Sequence, residues 1–352
     1  MAKGGLGKVD RDFLGRVLLR NTGAGNPAVL EGPGLGLDNA VISLQKGRVM
    51  VVTADPLSII PSIGMADSAW LTVHELASDL ATSAVAPQFA VLDYNLPPSL
   101  ELEDFEGYAV AVSDECKRLG VSIVGGHTGR YPGCGFSIVG GGMMMAMADD
   151  DAYITPRMIQ RDDEIVMTKG AAFEAAAVLA LTFPETTEKS VGTKVARRAA
   201  GGLRSCSTVK DALTASSAGI RSGGVTAMHD ATEGGVLGGL YELARTSGRT
   251  LQVERERIHV PEVNRVVCAA FGLDPLTTVS EGTLLITCRP KRSLDIMNRL
   301  SAKGIGAFRI GRVGTRGPEL LVSDGSTSRR YVPPKFDAYW KVYAEGVKKG
   351  WK

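Results

Sequence analysis

Several acidic residues of this chain stand where predicted strands and helices begin or end. Asp38 follows a glycine-rich stretch and precedes a predicted strand, Asp55 closes the next one, and Asp79 lies inside an otherwise apolar helix pattern. The sequence Gly125-Gly126-His127-Thr128 ends a further predicted strand in a glycine turn. Mg²⁺ binds a few carboxylates and keeps several waters, and phosphates bind to cations and close backbone donors. These acids and glycines could therefore supply a magnesium–phosphate site.

Each acid also has a structural interpretation. Asp38 could be a turn residue, and Asp55, which precedes Pro56, could simply end its strand. Asp79 is harder to explain in this way, because an unpaired acid buried beside Leu76 and Leu80 would cost several kcal/mol. Taken singly, the acids do not decide between structure and function.

Other motifs of nucleotide-binding, hydrolytic and zinc proteins are absent or lack their structural context. The chain has no G-x-x-x-x-G-K-[ST] and no G-x-S-x-G sequence. Gly23-Ala24-Gly25-Asn26-Pro27-Ala28 matches a dinucleotide pattern, but no predicted strand precedes it and Gly32-Pro33-Gly34 interrupts any helix after it. The four histidines include no H-x-x-x-H pair, which argues against a histidine zinc site.

Length and composition narrow the class of protein. A chain of 352 residues favours two domains. A net charge of +2 without a basic cluster predicts no nucleic-acid or membrane partner. Five cysteines without a C-x-x-C pair are typical of reduced intracellular thiols. With no apolar N-terminal run, and with the most apolar stretch, residues 136–148, too short and glycine-rich to span a bilayer, the sequence predicts a cytoplasmic protein.

The first half of the chain alternates predicted strands and helices. A helix over 67–84 would bury a stripe that includes Val73 and Leu80, with Asp67 or Ser68 as its cap. A second helix over 102–119 would stop at Gly120. Predicted strands occupy 40–44, 48–54, 89–94, 121–124 and 136–148. The alternation predicts a mixed α/β domain.

Breaks in this pattern divide the chain. Residues 1–37 are predicted to be a flexible glycine-rich segment with a short helix over 10–20. Acidic residues and Pro156 within 149–163 indicate a boundary between domains at 38–155 and 156–330, and residues 331–352 carry a C-terminal helix over 336–347. Predicted strands of the second domain cover 164–168, 224–228, 284–287 and 307–313, and predicted helices cover 174–181, 209–218, 235–246, 263–271 and 293–303.

Four segments of the first half resemble, in order, motifs of one superfamily of ATP-dependent enzymes. They are Gly34-Leu35-Gly36-Leu37-Asp38-Asn39-Ala40, Val52-Thr53-Ala54-Asp55, the segment from Ser78-Asp79-Leu80-Ala81 to Pro87, and Gly125-Gly126-His127-Thr128. The corresponding motifs are G-x-G-x-D-[DN]-A, TTD, NDLAAMGAEP and GGDT or GGHT. In the second half, His229-Asp230-Ala231-Thr232-Glu233-Gly234-Gly235 resembles HDPTRGG, and Ser280-Glu281-Gly282-Thr283-Leu284-Leu285 resembles NEGxLL.

Six motifs in one order are far more specific than any one of them. The chain resembles the superfamily of aminoimidazole ribonucleotide synthetase, and most of all its hydrogenase maturation carbamoyl dehydratase branch. The resemblance implies an α/β, two-domain PurM-like fold, with a mixed N-terminal α/β domain that forms a dimer sheet or barrel and a C-terminal α/β domain. It also implies a homodimer that holds ATP in a long cleft.

The resemblance further implies roles for individual residues. Asp38, Asp55 and Asp79 would hold Mg²⁺ against the phosphates. Gly34, Gly36, Asn39 and the Gly125-Gly126-His127-Thr128 turn would contact the nucleotide, and the N-terminal segment would fold over it. Asp230, Thr232 and Glu281 would be catalytic residues, with the helix that begins at Gly235 offering its N-terminus to an anion.

Two residues and the C-terminal tail depart from the family pattern. His127 replaces an aspartate that binds metal in several branches, and Glu233 replaces an arginine. The hydrogenase maturation protein carries its carbamoyl group on a terminal cysteine, whereas the last cysteine here is Cys288. We therefore expect that this chain does not perform that reaction on its own tail.

The expected activity is ATP-dependent phosphorylation of an amide or carbonyl oxygen. The acceptor would be a small molecule or a protein-borne group that the sequence does not identify, because the thiamine-monophosphate kinase and selenophosphate synthetase branches share the nucleotide-binding half. A second hypothesis is a non-catalytic maturation or assembly partner that binds ATP as a switch. A nucleotide-free scaffold would leave the three acids without a role.

Overall fold

The computed structural model describes residues 6–352, and its first half is built on one mixed sheet. The strands are β1 (Val29–Glu31), β2 (Ala40–Ser43), β3 (Arg48–Ile59), β4 (Phe89–Leu96), β5 (Ser122–Arg130) and β6 (Ser137–Asp149). They lie in the order β1-β2-β3-β6-β4-β5. The helices of this half are α1 (Arg11–Arg16), α2 (Met65–Ala81) and α3 (Leu102–Leu119), and α2 packs on the sheet beside α3.

The second half contains a seven-stranded sheet. Its strands are β7 (Glu164–Thr168), β8 (Val225–Ala231), β9 (Arg249–Glu254), β10 (Thr283–Cys288), β11 (Ala307–Arg316), β12 (Leu320–Ser323) and β13 (Ser328–Tyr331), in the order β13-β12-β9-β11-β7-β10-β8. Its helices are α4 (Phe173–Thr182), α5 (Pro184–Val191), α6 (Thr193–Ala200), α7 (Val209–Ser216), α8 (Gly235–Ser247), α9 (Glu262–Ala270), α10 (Pro290–Ala302) and α11 (Ala338–Lys349). No helix within residues 6–352 has the length and apolar character needed to cross a membrane.

The two halves share a hydrophobic core. Leu76 and Leu80 of α2 belong to the same buried cluster as Met228 of β8, Ile286 of β10 and Ala212 of α7. Helix α2 therefore packs against the first sheet and also against the second half. This shared core fixes the position of α2 relative to β8, and the acidic side chains of both elements depend on that position.

The predicted helices of the first half are present with small changes. Helix α3 has the predicted bounds, and Gly120 ends it in the left-handed conformation with φ 74°. Helix α2 begins at Met65, so the expected cap at Asp67 or Ser68 is wrong. Ser68 Oγ instead accepts a hydrogen bond from Ile60 N at 2.9 Å, which ties the first turn of the helix to the end of β3.

Strand β3 is longer than predicted. Asp55 and Pro56 do not end it but lie inside it, opposite Gly142 and Gly141 of β6. A proline is tolerated here because β2 pairs with β3 only as far as Val52, so beyond that residue β3 has a partner on one side only. Asp55 is consequently held on a rigid strand rather than in a loop.

Residues Gly125–Thr128 were predicted to form a turn, and this is wrong. They continue β5, which pairs in parallel with β4 as far as Arg130. Gly126 has φ 153°, and a Cβ there would lie 1.9 Å from Leu92 O, so only glycine permits this close approach of the two strands. Gly126 thus allows the two strands to pair, and a phosphate contact of this segment remains a prediction.

Several short elements lacked a sequence signal. Helices α5 and α6 and strands β1, β9, β12 and β13 were not predicted, because each is short or carries few apolar residues. The predicted helix over 10–20 is shortened to α1, which Asp10 caps through hydrogen bonds from Asp12 N and Phe13 N. The first five residues of the expected flexible segment lie outside the described residues.

Candidate functional site

Acidic side chains from both halves converge on one cavity of about 190 Å³. Strand β3 contributes Asp55, α2 contributes Asp79, and the second half contributes Thr232 and Glu281. Four of the residues predicted from the sequence therefore line one space. The other polar lining residues include Lys8, Glu75, Glu174 and Glu233.

A chain of buried ion pairs lies beside this cavity. Asp38 Oδ1 is 2.7 Å from His229 Nδ1, and His229 Nε2 is 3.3 Å from Glu242 Oε2. Arg11 of α1 continues the chain, with its Nε 3.3 Å from Glu242 Oε1. Burial alone would lower the pKa of His229, but Asp38 and Glu242 outweigh it and raise that pKa well above its ordinary value. His229 contacts Asp38 through one ring nitrogen and Glu242 through the other, and so holds Asp38 in place, a role that the sequence does not indicate.

Asp38, His229 and Asp230 form the tightest group of possible metal ligands within residues 6–352. One ligand atom from each lies within 4.8 Å of the others. Because both ring nitrogens of His229 already contact carboxylates, Asp38 and Asp230 are the candidates for binding a divalent cation. Asp230 Oδ1 is buried and has no hydrogen-bond partner among the described residues. An orphaned carboxylate oxygen beside a second carboxylate fits a cation that prefers oxygen ligands and keeps waters.

Asp79 faces the same group from α2. Its Oδ2 lies 3.0 Å from Thr53 Oγ1, and that hydroxyl is 2.8 Å from Asp38 O. Burial raises the pKa of Asp79 well above its usual range, and the nearby charges of Asp230, Asp55 and Asp38 raise it further. The magnesium set Asp38, Asp55 and Asp79 remains a prediction, to which the structure adds Asp230.

Other acids in or beside the cavity also have raised pKa values. Burial raises the pKa of Asp55 to about 6 and those of Glu174 and Asp230 to about 7. Burial and neighbouring carboxylates also raise the pKa of Glu75 well above its usual value. Glu75 precedes Asp79 by four residues on α2, which places both on one face of the helix. That spacing was visible in the sequence and could have identified Glu75.

The N-terminal segment supplies a cation at the edge of this cavity. Lys8 Nζ donates to Thr232 Oγ1 at 2.9 Å, and Lys8 N donates to Glu233 Oε2 at 2.8 Å. Burial lowers the pKa of Lys8, but the carboxylates, chiefly those of Glu242 and Asp79, more than offset this and raise it. No local pattern marks this contact, because Lys8 and Glu233 are 225 positions apart. The segment therefore contacts the cavity through Thr232 and Glu233, and its folding over a nucleotide remains a prediction.

Gly34, Gly36 and Asn39 have structural contacts at this site. Gly36 has φ 67°, and a Cβ there would lie 2.7 Å from Glu242 Cβ, so glycine lets the loop before β2 approach α8. A Cβ on Gly34 would meet the Leu37 side chain at 2.7 Å. Asn39 Nδ2 donates to Asp79 O at 2.8 Å, which fixes the loop to α2. Their binding to a nucleotide remains a prediction.

His127 and Thr128 do not reach the acidic cavity of their own chain. Asp55 pairs with Gly142 of β6, Asp93 of β4 pairs with Gly141, and His127 pairs with Asp93. Three strand spacings therefore separate Asp55 from His127, which is about 14 Å. His127 is exposed, and its Nε2 lies 2.7 Å from Tyr131 Oη. The predicted contact of residues 125–128 with a nucleotide remains a prediction.

The N-terminus of α8 was predicted to receive an anion, and a carboxylate of the chain itself lies there. Gly234 N donates to Asp337 Oδ2 at 2.8 Å. Asp337 also caps α11, because its Oδ1 accepts from Tyr339 N at 2.9 Å. Asp337, which accepts a hydrogen bond at the N-terminus of α8, thus positions the C-terminal helix α11 as well.

The sequence matches two domains of one family. Residues 36–146 match the N-terminal domain of AIR synthase related protein, and residues 160–322 match its C-terminal domain. The chain belongs to the AIR synthase related protein family. Its two α/β halves, each with its own sheet, agree with the predicted two-domain PurM-like fold.

Relatives within this family are named for hydrogenase maturation. Carbamoyl dehydratase HypE of Rhizobium leguminosarum bv. viciae is 26% identical over 283 residues, which cover 77% of this chain and 75% of that protein. A putative hydrogenase expression/formation protein of Methanocaldococcus jannaschii is 24% identical over 83% of this chain and 84% of its own length.

Solved structures of AIR synthase related proteins share the fold. Escherichia coli HypE superposes with a TM-score of 0.70 at 21% identity, covering 88% of this chain and 93% of that one. A ThiL structure complexed with AMPPCP and TMP gives a TM-score of 0.69 at 16% identity, covering 92% and 97%. A HypE structure in complex with ATP gives 0.65 at 18% identity, covering 96% and 98%. The predicted fold is confirmed.

Proposed function

We propose that this AIR synthase related protein uses Mg-ATP to phosphorylate an amide or carbonyl oxygen of a small-molecule or protein-borne substrate. The observation that carries the proposal is the group of Asp38, Asp55, Asp79 and Asp230 at the junction of the two halves. In the ligand-free protein the pKa values of Asp55, Asp79 and Asp230 are raised, chiefly by burial. Asp38 contacts the buried His229. Such a group needs external positive charge to ionise fully.

Relatives support the nucleotide part of this proposal. Two similar structures were solved with ATP or AMPPCP bound, and curated relatives are named carbamoyl dehydratase. The acceptor is a separate question, because the relatives that share this fold carry names of different enzymes.

Each residue of the site would act mainly by position and charge. Asp38, Asp55, Asp79 and Asp230 would hold Mg²⁺, and the ion would neutralise the phosphates when bound. His229 would keep Asp38 oriented through its 2.7 Å contact. Thr232 and Glu281, which line the cavity, would position the acceptor.

We expect ATP to bind only when Mg²⁺ is present, because the carboxylates would otherwise repel the phosphates. Calorimetric titration with ATP and Mg²⁺ should show binding that excess chelator abolishes. Hydrolysis should then be measured with and without a metabolite mixture, since the acceptor should increase turnover. Undiminished ATP binding in excess chelator would refute the metal assignment.

We also propose a homodimer that covers the open face of the first sheet. Ile138, Met143 and Met147 of β6 are 52%, 40% and 43% exposed, and Val124 of β5 is 57% exposed. These side chains lie on or beside the face that α2 and α3 do not cover. A second copy would bury them, and it is also the route by which residues 125–128 could reach a nucleotide held by the other protomer.

A charge on this face should dissociate the dimer. We expect light scattering to give a dimer mass for the native chain and a monomer mass for Met143→Lys, because a lysine there would have to lose its hydration in the interface. Val332→Lys, at a residue that is 69% exposed in the second half, should remain dimeric. A monomer mass for the native chain over a wide concentration range would contradict the proposal.

A second candidate is a non-catalytic maturation partner that binds ATP as a switch. Glu233 favours it, since this position carries a negative charge near the proposed phosphate site. Asp337 at the N-terminus of α8 also favours it. Mg-ATP binding without turnover in the presence of cell metabolites and proteins would support this candidate over the enzyme.

A further inference from the structure

One wall of the cavity is aromatic. Tyr339, Trp340 and Tyr343 of α11 line it together with Leu71 and Val178. The Tyr339 and Trp340 ring centroids are 5.4 Å apart, and those of Trp340 and Tyr343 are 6.4 Å apart at an angle of 73°. These rings contact one another and form an ordered surface rather than isolated exposed side chains.

Glu174 and Glu281 of the same cavity form no salt bridge within residues 6–352. Glu281 is 2% exposed, and its Oε1 has no hydrogen-bond partner within the described part of the chain. The backbone N–H of Glu281 donates to Glu174 Oε2 at 3.3 Å, so the Glu174 carboxylate lies against the backbone at Glu281, and both residues line the cavity. Burial and then neighbouring acids raise the pKa of Glu281 well above its usual value. A buried carboxylate oxygen without a partner is costly unless a ligand satisfies it.

Lys8 does not neutralise this pair. Its ammonium donates to Thr232, and the carboxylates that chiefly raise its pKa are Glu242, Asp79, Glu233 and Asp55. The charges that chiefly perturb Glu281 are other carboxylates, among them Asp230 and Glu174. Lys8 therefore interacts with the acids next to the proposed phosphate site. Glu174 and Glu281, near α11, can still bind a cationic ligand.

A hydrated metal ion suits this part of the cavity poorly. Mg²⁺ requires six oxygen ligands in near-ideal geometry and usually keeps several waters, whereas rings and aliphatic side chains take up much of this wall. An ammonium or guanidinium group can donate to a carboxylate while it faces an aromatic ring. The cavity, at about 190 Å³, has room for a small organic group of this kind.

We propose that the acceptor of this enzyme is a small organic cation whose amide or carbonyl oxygen takes the γ-phosphoryl group while ADP leaves. Its ammonium or guanidinium group would be held on Glu281 and Glu174, and its carbon frame would lie against Tyr339, Trp340 and Tyr343. This inference rests on the proposed function, since it names the class of molecule that the phosphoryl group reaches. It also gives α11 a part in substrate recognition.

The test uses the full chain with Mg²⁺ and a non-hydrolysable ATP analogue. Phenethylamine and phenylguanidine are the charged probes, and 2-phenylethanol is the uncharged control with nearly the same shape. Calorimetry should show binding of at least one charged probe and roughly tenfold weaker binding of the alcohol, because a hydrogen bond to a charged group is lost. Equal binding of alcohol and amine, or no binding of either charged probe, would overturn the inference.

Substitutions of the cavity residues show where the probe binds. Glu281→Gln and Glu174→Gln should each weaken the charged probe by roughly tenfold, and Tyr343→Ala should weaken both charged and uncharged probes. Glu345→Gln, on the solvent side of α11 where it pairs with Lys349, should leave probe binding unchanged. Tyr343→Phe retains the ring, so retained affinity in this variant separates loss of contact from misfolding. Unchanged probe affinity in both glutamine variants would reject the site.

Binding of the ATP analogue is measured separately from binding of the probes. If the ATP analogue binds with Mg²⁺ and the probes do not, the inference about the acceptor fails and the proposed function stands. If the analogue itself does not bind, the proposed function fails.

Discussion

Replacement of Asp79 by asparagine should stabilise the ligand-free protein and remove most of its affinity for Mg-ATP. Burial and the charges of Asp230, Asp55 and Asp38 make ionised Asp79 costly, and the amide removes that charge while its oxygen still accepts from Thr53. We expect a higher melting temperature without ligand. We also expect a loss in Mg-ATP affinity of about 100-fold, which corresponds to about 3 kcal/mol, because a carboxylate near the metal would be missing.

Thermal melts of both proteins with and without Mg-ATP separate this role from a structural one. Asp149→Asn is the matched control, since that carboxylate is exposed at the far end of β6 and, within residues 6–352, forms a salt bridge with Arg48 alone. It should change neither the ligand-free melt nor the stabilisation by Mg-ATP. If Asp79→Asn melts lower and is stabilised by Mg-ATP as much as the native chain, Asp79 is a structural residue.

The ligand-free protein should lose stability as the pH rises from about 5 to 8, and Mg-ATP should restore it. Asp55 has a folded pKa of about 6, and Glu174 and Asp230 have folded pKa values of about 7, above the ordinary values of 3.8 and 4.5. An acid whose pKa is raised by folding contributes stability that is present below its ordinary pKa. That contribution is lost as the pH rises through its folded pKa.

The expected loss in the free energy of unfolding is large. For Asp230 the rise from 3.8 to about 7 corresponds to a loss of roughly 3 kcal/mol at most between pH 5 and pH 8. Glu242 titrates in the opposite sense, since hydrogen bonding to His229 and the charge of Lys8 outweigh burial and lower its pKa to about 2. The stabilisation that Glu242 contributes is therefore complete by pH 5 and does not change between pH 5 and 8.

Unfolding should be measured from pH 5 to 8 with and without Mg-ATP. The stabilisation by Mg-ATP should be greater at pH 8, where the bound cation replaces the missing positive charge, than at pH 5. Asp230→Asn should flatten the pH dependence without ligand, whereas Asp149→Asn should not. A ligand-free protein whose stability rises steadily over this interval would contradict the assignment of these buried acids.

Much of the fold and part of the site could be predicted from local patterns. Helix α3 has its predicted bounds because its apolar stripe and the glycine at its end act over a few neighbouring residues. The motifs around Asp38, Asp55, Asp79 and Asp230 indicated the family and the acids that meet at the cavity. The acid character of the site was therefore available from the sequence alone.

Only the tertiary structure showed which side chains accompany those acids. The contact of Asp38 with His229 joins residues 191 positions apart, and that of Lys8 with Glu233 joins residues 225 apart. Aromatic residues of α11 line the cavity because Asp337 caps both α8 and α11. Residues 125–128 form a strand because β4 lies beside them. Periodicity and capping act within a few residues of the chain, whereas these contacts depend on how the sheets and helices pack, which no local pattern records.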